Sequence, residues 1–177
     1  MSRSPARSMA RCAMFTALLC IGGMLSIPLG ETRFTMQNFV LFLALVILGG
    51  KDGTIACLAY LVLGAMGLPV FSGFQGGLGV LLGPTGGYLT GFLLCGLVYW
   101  AITSLFPTAQ IPGLILGQLV GYGCGALWYA LGYLGSIHAL GAALLQILSY
   151  VIPDGIKLWL AHRLSRILGL AFSRKME

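Results

Sequence analysis

Apolar runs separated by glycine, proline and a few polar residues fill the chain from about residue 11 to residue 170. Runs of this length and polarity predict successive membrane helices. A first span is expected over residues 11–28, as a retained helix and not a cleaved signal peptide, because so many apolar segments follow it. Residues 29–35 read as a loop carrying Glu31 and Arg33, and residues 36–48 as a short second span opened by Gln37 and Asn38. The turn at residues 49–53 precedes a third helix over 54–68, closed by Gly67-Leu68-Pro69. Glycine at 73, 76, 77, 79, 83, 86 and 87 then predicts folded, non-helical backbone on the outer side.

A fourth span is expected over residues 86–105, followed by an uncharged turn at 106–112. In the fifth, Gly113, Gly117, Gly121 and Gly125 recur every four residues and form a smooth stripe for close helix packing, against a neighbour that spacing does not name. Tyr122, Trp128, Tyr129 and Tyr133 read as an interfacial aromatic belt or as the wall of an apolar pocket. Proline breaks helix interiors but suits a first turn. Pro153 therefore predicts a peripheral or re-entrant segment at 139–149 and a last span over 153–170.

Composition supports a membrane protein. Of 177 residues, 58% are hydrophobic and 8% charged, with mean hydropathy +0.96, whereas soluble domains carry about 25% charged residues. The 101 residues from 53 to 153 contain no Asp, Glu, Lys or Arg. The net charge of +6 concentrates at Arg3, Arg7 and Arg11 and at Arg163, Arg166, Arg174 and Lys175. This is a positive-inside pattern and not a nucleic-acid surface, so both termini are expected in the cytoplasm and the number of spans is even. The five cysteines stand singly and read as small packing residues, with no metal-ligand or redox spacing.

Against that background Asp154 and Lys157 are conspicuous, being the only charged residues between Asp52 and Arg163. Ionised groups in an apolar setting need a partner, a wet cavity or a ligand. With a helix starting at Pro153, Asp154 would sit at its N-terminus near the outer face, three residues from Lys157 on the same side. The pair reads either as an internal ion pair locking the last helix or as the polar anchor of an outward pocket. A structural subunit relying on the glycine stripe and a membrane-embedded enzyme are the competing classes. For an enzyme, no nucleophile–base set, paired carboxylates or metal cluster is present. There is no Walker motif, so any ATP use belongs to another protein, and no cofactor is expected.

The motifs Gly67-Leu68-Pro69-Val70-Phe71, Gly77-Leu78-Gly79, Gly83-Pro84-Thr85-Gly86-Gly87-Tyr88 and Asp154-Gly155-Ile156-Lys157 resemble the BioY family. These are biotin-specific substrate-binding (S) components of energy-coupling factor (ECF) transporters. The resemblance implies an all-α, six-helix bundle over residues 11–171 between cytoplasmic tails at 1–10 and 172–177, in the bacterial cytoplasmic membrane. It implies biotin capture at the outer side, a transmembrane T component and two cytosolic ATPases, with no chemistry in this chain. Ala13 and Ala17 match the small-residue motif for docking the T component, and Thr35 and Gln37 match a substrate-covering loop. Asp154 and Lys157 would meet the polar groups of biotin, with Gln75 and Tyr88 as further ligand contacts. The chain departs from the pattern at Pro153-Asp154-Gly155, where Pro-Gly-Asp is usual, and at Arg33-Phe34, where a proline-bearing pair is usual.

Overall fold

The computed structural model describes residues 5–29 and 32–174, which are mostly helical. In chain order they form α1 (Pro5–Met24), a hairpin of β1 (Ser26–Leu29) and β2 (Thr32–Thr35), α2 (Gln37–Leu48), α3 (Gly50–Ala65), one-turn α4 (Leu78–Leu81), α5 (Gly86–Leu105) and α6 (Gln110–Leu127). A π-helical turn (Trp128–Tyr133) and a 3-10 turn (Ile137–Ala139) lead into α7 (Leu140–Arg174). Gly86–Leu105, Gln110–Tyr133 and Ile137–Leu168 are long and apolar enough to cross a membrane. Large apolar side chains such as Leu119, Leu145 and Ile152 point outward, the pattern of a protein solvated by lipid.

Several boundaries differ from the sequence expectation. Residues 5–10, expected as part of a tail, are the first turns of α1. Pro5 suits a first helical turn, and Ser8 Oγ donates to Asp52 Oδ2 at 2.6 Å, tying the start of α1 to α3. Arg3, Glu31 and Lys175 lie outside the described residues. Of the loop expected at 29–35, Leu29 closes β1 and residues 32–35 form β2, paired antiparallel with Ser26 opposite Thr35 and Ile27 opposite Phe34. Helix α3 starts at Gly50, four residues early, because Gly49 alone makes the turn at φ +91°. Helix α6 begins at Gln110, with Pro112 in its first turn, where a missing N–H is harmless.

The glycine stripe packs internally, against α5. A Cβ added at Gly117 would lie 2.7 Å from the Cys95 carbonyl oxygen, and one at Gly121 would lie 3.0 Å from that of Gly91. The two backbones therefore touch at Gly91 and Gly121. Gly113 rests on Tyr99 and Gly125 on the Tyr88 ring. Leu19, Leu41, Phe42, Leu45, Cys57 and Tyr60 form part of the main core around α1, α2 and α3. A smaller cluster of Tyr122, Ala126, Ala143 and Ile147 joins α6 to α7.

The break expected at Pro153 does not occur. Residues 140–174 are one helix of 35 residues with Pro153 inside it, so 139–149 is neither re-entrant nor peripheral. Tertiary contacts on both sides of the proline hold the helix together. Ala143 and Ile147 pack in the α6–α7 cluster, while Asp154 and Lys157 engage α2, α6 and the hairpin beyond it. Packing of this kind lets membrane helices tolerate an interior proline. Asp154 consequently sits mid-helix and not at an N-terminus, and backbone N–H groups do not account for its charge.

Candidate functional site

Polar side chains from three helices converge on Asp154, which is buried together with Lys157. The first turn of α2 supplies Asn38, whose Nδ2 donates to Asp154 Oδ2. Gln118 and Tyr122, four apart on α6, supply an amide at 3.4 Å and a phenol at 2.7 Å to the same oxygen. Lys157 Nζ donates to Asp154 Oδ1 at 2.8 Å and to the Thr35 carbonyl oxygen of β2 at 2.8 Å. It also lies 3.8 Å from the centre of the Phe34 ring, a cation–π contact.

Each member of this buried pair is matched by an opposite charge and by further hydrogen bonds, the pairing that burial of such groups requires. Oδ2 is crowded by three donors, whereas Oδ1 receives only Lys157. A carboxylate oxygen offers about two lone pairs, so Oδ1 retains one acceptor position for an incoming N–H.

The pair opens onto a cavity of about 280 Å³ between α2, α5, α6, α7 and the glycine-rich loop. Gln146, Tyr150, Asp154 and Lys157 line it at spacings of four, four and three along α7. They therefore share one face of that helix. Phe71, Leu89 and Phe92 supply apolar wall, and Asp154 and Lys157 are the charged residues among its lining. A few placed polar groups in an apolar cavity are the make-up of a small-molecule site.

The structure brings together most of the residues singled out in the sequence. Thr35, Gln37, Gln75 and Tyr88 all line the cavity with Asp154 and Lys157. Gln37 is in α2, beyond the hairpin, and its amide donates to Tyr60 Oη, which in turn donates to the Val70 carbonyl at 3.3 Å. It thus braces the glycine-rich loop. Ala13 and Ala17 are exposed on α1 and do not line the cavity. The aromatic cluster divides: Tyr122 enters the site, Trp128 Nε1 donates to the Gly83 carbonyl at 2.9 Å, and Tyr129 and Tyr133 stack on each other at 6.2 Å. Sequence reasoning missed Gln118 and Ser72, and did not connect Asn38 or Phe34 with the pair. A lone glutamine inside the glycine stripe was the available signal for Gln118.

The family model described as "BioY family" matches residues 1–174. The chain belongs to the BioY family. Among BioY relatives, the biotin transporter BioY of Thermotoga maritima is 40% identical over 153 residues, 85% of this chain and 80% of the relative. A probable biotin transporter BioY of Pyrococcus horikoshii is 35% identical over 156 residues, covering 86% and 90%. The crystal structure of the S-component for biotin from an ECF-type ABC transporter superposes with a TM-score of 0.82 at 28% identity. That match covers 95% of this chain and 94% of the other. The residues matched by the family model include those that line the cavity.

Proposed function

We propose that this chain is the substrate-binding subunit of an ECF-type transporter and takes up biotin. The observation that carries the reading is the buried Asp154–Lys157 pair opening onto a cavity with apolar walls, in a chain that matches BioY proteins along its length. Biotin presents two ureido N–H groups and a ureido oxygen on an apolar bicyclic body. The free acceptor position on Asp154 Oδ1 suits a ureido N–H, and Lys157 suits the ureido oxygen. Phe71, Leu89 and Phe92 suit the ring body. Gln75 and Tyr88 are further ligand contacts, and the β1–β2 hairpin ending at Thr35 covers the substrate, with Gln37 bracing the wall behind it.

Six helices, α1, α2, α3, α5, α6 and α7, would cross the membrane in this reading. The Ser8–Asp52 hydrogen bond supports placing the start of α1 on the same side as the Lys51 turn. The positive-inside rule makes that side cytoplasmic, with Arg163 and Arg166 at the other end of the chain. Capture then occurs from outside the bacterial cytoplasmic membrane. A T component docked on exposed Ala13 and Ala17 and two cytosolic ATPases would drive release, and this chain performs no covalent chemistry and needs no cofactor.

Titration calorimetry of the purified protein with biotin tests the reading. Wild-type protein should bind biotin tightly, and Asp154→Asn and Lys157→Ala should each weaken binding by about 2–5 kcal/mol, since each leaves a buried partner unpaired. Unchanged binding in the double variant would overturn the site, and no binding by folded wild-type protein would overturn the function.

A further inference from the structure

Tyr60 of α3 is fully buried and stands outside the cavity lining. Its hydroxyl nevertheless ties together two stretches of chain that do line the cavity. It accepts a hydrogen bond from the Gln37 amide in the first turn of α2 and donates to the Val70 carbonyl oxygen, 3.3 Å away. Gln37 is a wall residue just past the β1–β2 hairpin, and Val70 leads directly into Phe71 of the wall. A buried tyrosine is ordinarily only a piece of core. This one differs because both partners of its hydroxyl carry cavity wall.

The junction around this hydroxyl is tightly built. Tyr60 and Gly64, four apart on α3, share one face and together seat Phe71. The Tyr60 ring meets that of Phe71 edge-on, 5.5 Å between centres, and a Cβ at Gly64 would collide with the Phe71 ring. The Gly64 carbonyl also accepts the Gly77 N–H at 2.7 Å, so this turn of α3 holds the loop at a second point. The end of α1 closes the junction from another side. Its Gly22 carbonyl accepts the Met36 N–H at 3.2 Å, which joins the two ends of the chain at the base of the hairpin. A Cβ at Gly23 would collide with the Val70 carbonyl oxygen and lie 3.1 Å from Tyr60 Oη and 3.2 Å from Gln37 Nε2. Gln37 and Val70 are both buried, so without the hydroxyl an amide and a carbonyl regain their bonding only by moving.

We infer that Tyr60 is a positioning residue for the substrate: its hydroxyl fixes the hairpin base and the glycine-rich loop to one another and so slows escape of a ligand that it does not touch. The inference rests on the biotin reading above. Lys157 holds the Thr35 carbonyl and Tyr60 holds the Gln37 amide, so the residues on either side of Met36 are fixed from two directions. Releasing the second hold frees wall on both the hairpin side and the loop side. Such loosening acts on dissociation more than on arrival.

The test measures association and dissociation rates of biotin on the purified full-length protein, below the unfolding temperature of every variant. Tyr60→Phe keeps the ring against Phe71 and removes only the hydroxyl. It should hasten dissociation about tenfold and leave association within about twofold of wild type. Gln37→Leu should also hasten dissociation, and the double variant should be within about twofold of the worse single one, because both changes break one link. Gly23→Ala keeps the hydroxyl but wedges the junction apart, so it should act in the same direction and carries the test if Tyr60→Phe fails to fold. Tyr99→Phe, which strips a buried phenol of α5 outside the cavity lining, should leave both rates within about twofold. A lowered unfolding temperature with wild-type rates in folded Tyr60→Phe or Gly23→Ala would reduce Tyr60 to a structural role and overturn the inference. Losses that multiply in the double variant would overturn it too. Failure of wild type to bind biotin at all would refute the parent reading, a result distinct from each of these.

Discussion

Asp154 accepts hydrogen bonds from Asn38, Gln118, Tyr122 and Lys157, so one carboxylate joins α2, α6 and α7. Its bonds are unequal in kind. Removing the Tyr122 phenol deletes a neutral donor to a charged acceptor, an interaction of about 1.5–3 kcal/mol, but leaves no charge unpaired. Tyr122→Phe is therefore expected to weaken biotin binding by about 10- to 100-fold, less than Asp154→Asn, in the same calorimetric titration. Asp154 and Lys157 were legible in the sequence because charge is scarce there and expensive to bury. Gln118 was not, since a single amide on an apolar helix has the same appearance whether it faces a headgroup or a carboxylate, and the adjacent Gln37 and Asn38 did not name their partners. Ser72 was lost among the glycines around it.

At the scale of elements, α5 and α6 make a backbone-to-backbone contact beside the site. Gly91 and Gly121 bring the two backbones together, and Gly125 seats Tyr88 next to that contact. Gly121→Leu has no room for its side chain without separating the helices. It should destabilise the protein by more than the roughly 1–3 kcal/mol typical of overpacked cores. A lowered thermal unfolding temperature in detergent, with poor membrane yield, is the expected readout. The stripe itself was plain from its spacing, although spacing could not say that its neighbour was α5. Pro153 misled for the opposite reason. A proline rule describes what a local backbone prefers, whereas α7 is kept helical through that residue by contacts with three other elements. The hairpin was hidden as well, because strands of four residues leave too short a pattern to separate from a loop.

For the whole molecule, the cavity and the exposed small-residue face of α1 are separate surfaces, with Ala13 and Ala17 outside the cavity lining. Binding and transport should therefore come apart on mutation. Ala13→Leu with Ala17→Leu is expected to leave biotin affinity within about twofold of wild type. Uptake of labelled biotin by cells containing the complete transporter should fall to background, because a bulky face cannot approach a partner helix closely. Loss of both binding and uptake would instead place this face within the fold of the subunit.

Lys157 is shared between the carboxylate of the site and the hairpin, through the Thr35 carbonyl and the Phe34 ring. Sharing a cation makes occupancy and hairpin position reciprocal: whatever steadies one steadies the other by the same free energy. The effect belongs to residence time more than to arrival, since affinity differences between related complexes lie mostly in the dissociation rate. Phe34→Ala should accordingly leave the association rate of biotin nearly unchanged and shorten its dwell several-fold in a stopped-flow chase. A subunit that must hold a scarce vitamin until a partner arrives would then owe its patience to an aromatic ring that need never touch the cargo.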